Sequence, residues 1–365
     1  MRILTVSAVM GAGGAEVVAD VLVRDLDRRG HDVLLASGGG FRADRLERDG
    51  HRHLRVPLGT GRPLDLLRSV ATLRRAVRRE RPDVVHAHNV KACVVARLAV
   101  GPRVPVVATL HGVPAHQERR AARLLRLCAG HVVAVSSHVA ATLRAEGVPA
   151  DRITVVENAV RPVQPVERED ARRRLGIGDD RPVALVLARL ADQKRHDLLL
   201  EAWTDVPDTA ELLVAGDGPR RAVLEQMVAA MPADVRNRIH LLGTRTDVDV
   251  LLGASDLLVL PTDWEGLPIS LLEALGAGVP AVVSDVGGVS ALAAGVELVR
   301  PGSAAALAEA VGTLLQDPDR RLDLARRGRD LVQHRFDPDT MPASYAALLG
   351  RVAGVAPAPL RGGSR

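Results

Sequence analysis

The chain has 365 residues, 47% of them hydrophobic and 25% charged, with a formal net charge of +5. That length exceeds one ordinary core and asks for two domains. Its five aromatic residues leave no stacking platforms for single-stranded nucleic acid. The basic balance fits an anionic partner, either a phosphate-bearing ligand or a membrane surface. However, 47 of the 49 basic residues are Arg, a bias of GC-rich codon usage, so the two lysines, Lys91 and Lys194, are the informative exceptions.

Cys93 and Cys128 lie in apolar helical stretches without metal or disulfide spacing and read as small core residues in a reduced cytosol. The start, MRILTVSAV, lacks the basic region and apolar run of a signal peptide. No run reaches the roughly 18 apolar residues that a bilayer needs. These features predict a cytoplasmic protein, at most peripheral at the inner membrane surface.

In chain order, short Val/Leu-rich runs alternate with helical patterns. Strands are predicted at 2–9, 32–37, 83–88, 105–111, 131–137 and 153–158, with helices such as AEVVADVLVRDLDRRG and LDLLRSVATLRRAVRRE between them. This alternation predicts an α/β fold with a doubly wound parallel sheet, and the unbroken apolar strands predict helices on both faces. At AVRPVQPVER (159–168) the pattern breaks, then restarts with strands at 182–189, 211–217, 238–243, 256–261, 279–285 and 296–301. The reading is therefore two Rossmann-like domains, 1–160 and 161–338. A C-terminal helix (339–353) packs back on the first domain, and a disordered tail (354–365) follows. Ligands of such domains belong where strand C-termini converge.

GAGGAE (11–16) follows the first strand and opens a helix, a place where glycine backbone can approach a phosphate or merely turn. The dinucleotide fingerprint would need Gly at position 16, where Glu16 stands, and no acidic residue ends the second strand. A Rossmann oxidoreductase is thereby disfavoured. In LARLADQKRHDLLLEAW (187–203), Arg189 ends a strand and Lys194 opens the next helix, two cations suited to a departing phosphate. GDGP (216–219) repeats the strand–turn–helix pattern, and LGTRTDVDVLL places Arg245 at a further strand end, near a nucleobase or on plain surface.

TDWEGLPISLLEAL (262–275) is the most telling stretch. From Pro268 to Gly278 it reads as a helix apolar almost all round, hence buried, interrupted on one face by Ser270 and Glu273. Glu265 precedes it in the loop. The rise from Pro268 to Glu273 is about 7.5 Å, roughly the reach from a diphosphate to ribose hydroxyls. Glu273 can accept the ribose hydroxyls and Glu265 a sugar, with the helix N-terminus facing the phosphates.

EGLPISLLE, with the Arg189/Lys194 pair and GGAE before it, resembles the family 4 retaining glycosyltransferases of the GT-B fold. The resemblance spans essentially the whole chain through RRGHDVLLAS, DVVHAHN, HVVAVSSHV, GDGP and GAGVPAVVSDVGG. It implies that Glu265 contacts the donor hexose, that Glu273 contacts the ribose, and that Arg189 and Lys194 neutralise the departing diphosphate. The backbone of Gly13, Gly14, Gly266 and Leu267, with Pro268 beside them, would line the donor, and His111 in TLHG would lie beside the anomeric centre. His86 and His88 of VVHAHN, with Asn89 and Ser136, are expected to wall the acceptor side, since H-x-H finds no third metal ligand. No metal and no cofactor are expected; the nucleotide-sugar is a co-substrate. Two of the DxD-like strings, at 317–319 and 337–339, read as helix N-caps.

The implied reaction moves a hexose of glucose or N-acetylglucosamine type, from a UDP-sugar, to a hydroxyl acceptor with retention. The acceptor hydroxyl attacks the face that the nucleoside diphosphate leaves, and the leaving phosphate takes the proton. The expected acceptor is a small polar metabolite of antibiotic or secondary metabolism. The alternatives are a transferase bound peripherally to membrane through its basic N-terminal helices, acting on lipid or envelope glycan, a nucleotide-sugar epimerase, and a silent binder. Three positions depart from the family pattern: Ala159 and Arg195 stand where it has Gly, and Ala291 where it commonly has Glu.

Overall fold

A computed structural model provides the structure, and residues 1–59, 62–178 and 180–355 are described. The chain divides into two compact units. One comprises Met1–Asn158 and the chain from Pro338 onward, and the other Ala159–Asp337. The expected disordered tail, from residue 356 onward, lies outside the described residues.

Among the described residues, the first unit holds β1 (Arg2–Ser7), β2 (Asp32–Ser37), β3 (Arg52–Arg55), β4 (Val84–His88), β5 (Val106–Leu110), β6 (His131–Ala134) and β7 (Ile153–Val155). They form one parallel sheet in the order β3-β2-β1-β4-β5-β6-β7. β1, β4 and β5 are buried along nearly their whole length, because helices cover both faces, as continuous Val/Leu runs require. β3, sequence RHLR, is absent from the sequence-based reading. It is an edge strand with no fully buried residue, so it needs no apolar run. Several strands stop short of their predicted ends because the chain turns early. Ser136, for example, already caps the helix Ser137–Ala145.

The helix Thr340–Ala353 packs on the helix Gly14–Arg28 and on β4. It buries Tyr345, the only tyrosine of the sequence, completely. Cys93 is also fully buried, and burial pushes its thiol up to about 12, so it is inert packing.

The second unit holds β8 (Val183–Leu187), β9 (Glu211–Ala215), β10 (Ile239–Gly243), β11 (Leu257–Leu260), β12 (Ala281–Ser284) and β13 (Glu297–Val299). Their parallel order is β10-β9-β8-β11-β12-β13. Trp203, Leu212, Leu257, Val311 and Leu314 belong to its main core. The Pro/Arg-rich stretch that opens this unit leads into the helix Arg168–Leu175. There Arg172, 0% exposed, donates to the carbonyls of Ala254, Gly178 and Arg181 at 2.8–3.2 Å and to Asp256 at 2.8 Å. Asp256 also accepts from Val183 N, so this buried pair ties the helix to the start of the sheet. No helix of the described residues is long and apolar enough to cross a membrane.

Candidate active site

In the second sheet the strand order reverses between β8 and β11. The C-terminal side of such a reversal is the usual ligand position of parallel sheets, and the loops after β8 and β11 start there. Of the charged residues expected to bind the donor, Arg189, Lys194 and Glu265 lie in these two loops, Glu273 in the helix after the second, and Arg245 after β10.

Arg189 follows β8. It is exposed and forms no ion pair among the described residues. Its loop is braced from the neighbouring strand: Ala188 N donates to Ala215 O, Leu190 N to Asp217 O and Arg220 N to Leu190 O, all at 3.0–3.1 Å. Gly216 makes this possible. Its φ is +152°, and a Cβ there would stand 1.9 Å from the Ala188 carbonyl oxygen, an approach only glycine permits. The GDGP motif thus shapes the Arg189 loop.

The rest of that loop is stapled to the loop after β11. Gln193 Nε2 donates to Trp264 O at 2.8 Å and Asp263 N to Gln193 O at 2.9 Å. Arg195 pairs with Asp263 at 3.0 Å. Within this frame Lys194 and Glu265 form an ion pair, their side chains 14% and 8% exposed. Sequence reasoning assigned the two residues separate partners; in the structure they hold each other. Glu265 is seated from below by Gly287, at φ +56°, where a Cβ would lie 2.0 Å from the Glu265 carbonyl oxygen. Gln193 and Asp263 had no sequence signal, because their contacts cross about seventy positions.

The helix that follows spans Ile269–Ala277 and starts at Pro268 without a side-chain cap, leaving its first N–H groups for a ligand. Six of its nine residues are buried; only Ser270, Glu273 and Gly276 are not. Glu273 is therefore half-buried on the accessible stripe, less buried than the sequence suggested. Gly266, Leu267 and Pro268 are buried ahead of it. Arg245 is held by Asp247 through Nε at 2.8 Å, which raises the guanidinium pKa chiefly through that bond.

In the first unit, Gly13 precedes the helix Gly14–Arg28, and the Glu16 carboxylate folds over it, 2.1 Å from where a Gly13 Cβ would stand. His111, half-buried, follows β5. Its Nε2 lies 3.3 Å from His88 Nδ1 with the rings stacked, and burial brings its pKa down to about 4.

His86 and His88 correct the expectation of an acceptor wall: both are 0% exposed and present no surface to a substrate. Burial, and secondarily His111, lowers His86 to about 3, and burial puts His88 well below the ordinary histidine value. Ser136 is likewise buried, accepting from Val139 N at 3.3 Å as a helix cap. Asn89 caps the helix Val90–Val100 through Ala92 N at 2.9 Å, from a strained φ of +109°. Of the two expected DxD caps, Asp317 accepts from Arg320 N at 2.9 Å. Among the described residues no three His, Cys, Asp or Glu are grouped to hold a metal ion.

Comparison with known proteins agrees with this geometry. The family profile for glycosyl transferases group 1 matches residues 167–331, and that for glycosyltransferase family 4 matches 12–164. The chain is 31% identical to the 2-deoxystreptamine N-acetyl-D-glucosaminyltransferase of Streptomyces fradiae, over 94% of this chain and 92% of that protein. It is 25% identical to the N-acetyl-alpha-D-glucosaminyl L-malate synthase of Bacillus anthracis, over 92% and 93%. The crystal structure of Anabaena Alr3699/HepE in complex with UDP-glucose superposes with a TM-score of 0.84 at 25% identity, covering 96% of this chain and all of that one. Sequence, sheet order and site loops place this chain among the family 4 glycosyltransferases of the GT-B fold.

Proposed function

We propose that the protein transfers a hexose of glucose or N-acetylglucosamine type from a UDP-sugar to a hydroxyl of a small polar acceptor, with retention and without metal or cofactor. The observation that carries this reading is the Lys194–Glu265 pair at the reversal of strand order, with unpaired Arg189 in the same loop and an uncapped helix end beyond. Two cations and a helix N-terminus supply countercharge to a leaving diphosphate. Glu265, already compensated by Lys194, suits hydrogen bonding to a sugar better than nucleophilic attack. The acceptor hydroxyl then attacks from the face the diphosphate leaves and passes its proton to that phosphate. The donor type and a small acceptor are supported by the names of the Streptomyces and Bacillus relatives and by the UDP-glucose bound to the Anabaena protein.

The test is incubation with UDP-, GDP- and dTDP-hexoses, following donor hydrolysis and thermal shift. UDP-sugars should stabilise the protein most, and His111→Ala should keep that shift while losing transfer. No shift with any donor would sink the reading.

A membrane-associated acceptor is the second reading, favoured by one observation. Leu64, Leu67 and Leu127, each 67% exposed, stand on the Arg-rich helices Pro63–Glu80 and Glu118–Cys128, the composition of an interfacial helix. Co-sedimentation with anionic vesicles at low and high salt tests it; absence of binding at low salt removes it.

A further inference from the structure

Three imidazoles line up in the first unit, two of them fully buried. His88 stacks against His111 on one side and lies 4.3 Å, centroid to centroid, from His86 on the other. His86 is fixed in turn: its Nε2 bonds Thr109 Oγ1 at 2.8 Å, Thr109 bonds the Tyr345 hydroxyl at 3.1 Å, and the Tyr345 ring lies 5.2 Å from His86. His88 therefore has no room to turn. It is also the only residue that bonds the ring of His111 among the described residues.

A single proton lies between His88 Nδ1 and His111 Nε2, since burial keeps both rings neutral near pH 7. If His111 supplied it, His88 would carry its own proton on Nε2. That atom is buried and has no hydrogen-bond partner among the described residues. An orphaned buried N–H is costly and rare, more so than an orphaned lone pair. If His88 supplies the proton from Nδ1, only a lone pair is left bare. His111 must then carry its own proton on Nδ1, a nitrogen with no hydrogen bond among the described residues.

We propose that His88 is a positioning residue that donates to Nε2 of His111 and so fixes His111 as the Nδ1–H tautomer. His111 then meets the sugar as a neutral hydrogen-bond donor and takes no proton in the reaction. This rests on the reading above that His111 faces the reacting sugar. It also fits a mechanism in which the leaving phosphate receives the acceptor proton, because that route needs no histidine base. The device is the one by which a buried orienting group sets the tautomer of a functional imidazole.

The test reads the tautomer directly, by two-bond 15N–1H correlation on the full-length protein labelled at histidine, with His111→Ala to assign the signal. Protonated Nδ1 on His111 at pH 7 is expected; a protonated Nε2 overturns the proposal. His88→Leu should release His111 to a mixture of tautomers and lower kcat roughly 10- to 100-fold, with donor KM within about threefold. His88→Asn, whose side-chain NH2 replaces the Nδ1 donor, should recover most of that loss. Equal kcat losses in the two variants would mean that His88 merely fills space, and would overturn the proposal. Should His88→Leu fail to fold, the wild-type spectrum and His88→Asn still decide. Full turnover by His111→Ala would instead remove the underlying reading, an outcome visible whatever the tautomer.

Discussion

Replacing Lys194 by Met keeps the length of the side chain and removes its charge. Glu265, 8% exposed and paired with Lys194, then faces the interior with no cation. Stranding one member of a buried pair costs about 3–5 kcal/mol, most of it the desolvated partner left behind. In a domain of roughly 150–250 residues each kcal/mol moves Tm by about 2–4 °C, so the second unit should melt about 6–20 °C lower. Adding Glu265→Gln removes the stranded charge, and the double variant should recover most of the loss, a coupling that defines the pair. Calorimetry with and without UDP supplies a second sign. In Glu265→Gln the ammonium lacks its carboxylate, so a diphosphate beside it should raise Tm more than in the wild type, by the usual linkage of binding to stability. A Lys194→Met protein melting within about 2 °C of the parent, or strictly additive single and double variants, would refute the pair and the donor site built on it.

His196 is 4% exposed and neither ring nitrogen has a partner among the described residues; burial first, and Lys194 second, lowers its pKa to about 4. Its folded pKa lies below the ordinary 6.5, so its contribution is fully present above about pH 6.5 and is lost as pH falls toward 4, amounting to about 3 kcal/mol. Urea midpoints at pH 7 and 4.5 should lie closer together in His196→Leu than in the parent, the remaining gap belonging to His86, His88 and His111, and an unchanged pH dependence would discard the assignment. Arg172→Leu removes the donor of three carbonyls, while Asp256 keeps Arg168 and Val183 N at 2.8 Å, and should cost about 1–3 kcal/mol in chemical denaturation; a loss under about 0.5 kcal/mol would show that the guanidinium is dispensable. Glu273→Gln should weaken UDP binding roughly tenfold or more in titration calorimetry, about the 1.5–3 kcal/mol of a charge-assisted bond. Equal affinity would detach Glu273 from the ribose.

What the sequence disclosed was set by local periodicity. β1, β4, β8 and β11 are buried Val/Leu runs that read as strands without help from the fold. The helix Ile269–Ala277 showed its single accessible stripe through the spacing of Ser270 and Glu273. The rarity of lysine singled out Lys194, yet nothing local paired it with Glu265, seventy-one positions away. Arg195 sits between these cases. Its departure from Gly was legible, and the structure gives its physical content: φ is +48°, a left-handed conformation costing a non-glycine residue roughly 1–2 kcal/mol. Ion pairs to Asp197 at 3.2 Å and Asp263 at 3.0 Å hold it there, so the side chain that strains the turn also staples the donor loops.

The histidines show most clearly why the rest was hidden. Alternation along a strand puts His86 and His88 on one face, and a polar pair at the C-terminal end of a strand invites a role in contacting substrate. What covers that face is decided elsewhere. The hydroxyl that meets Thr109, and through it His86, belongs to Tyr345, 236 positions downstream of Thr109 on a helix that returns to the first unit. That return converts two apparent surface ligands into a buried brace and leaves His111 alone at the accessible end of the row. On the function proposed above, chemistry that the sequence spread over three imidazoles falls to His111, with His88 acting through it.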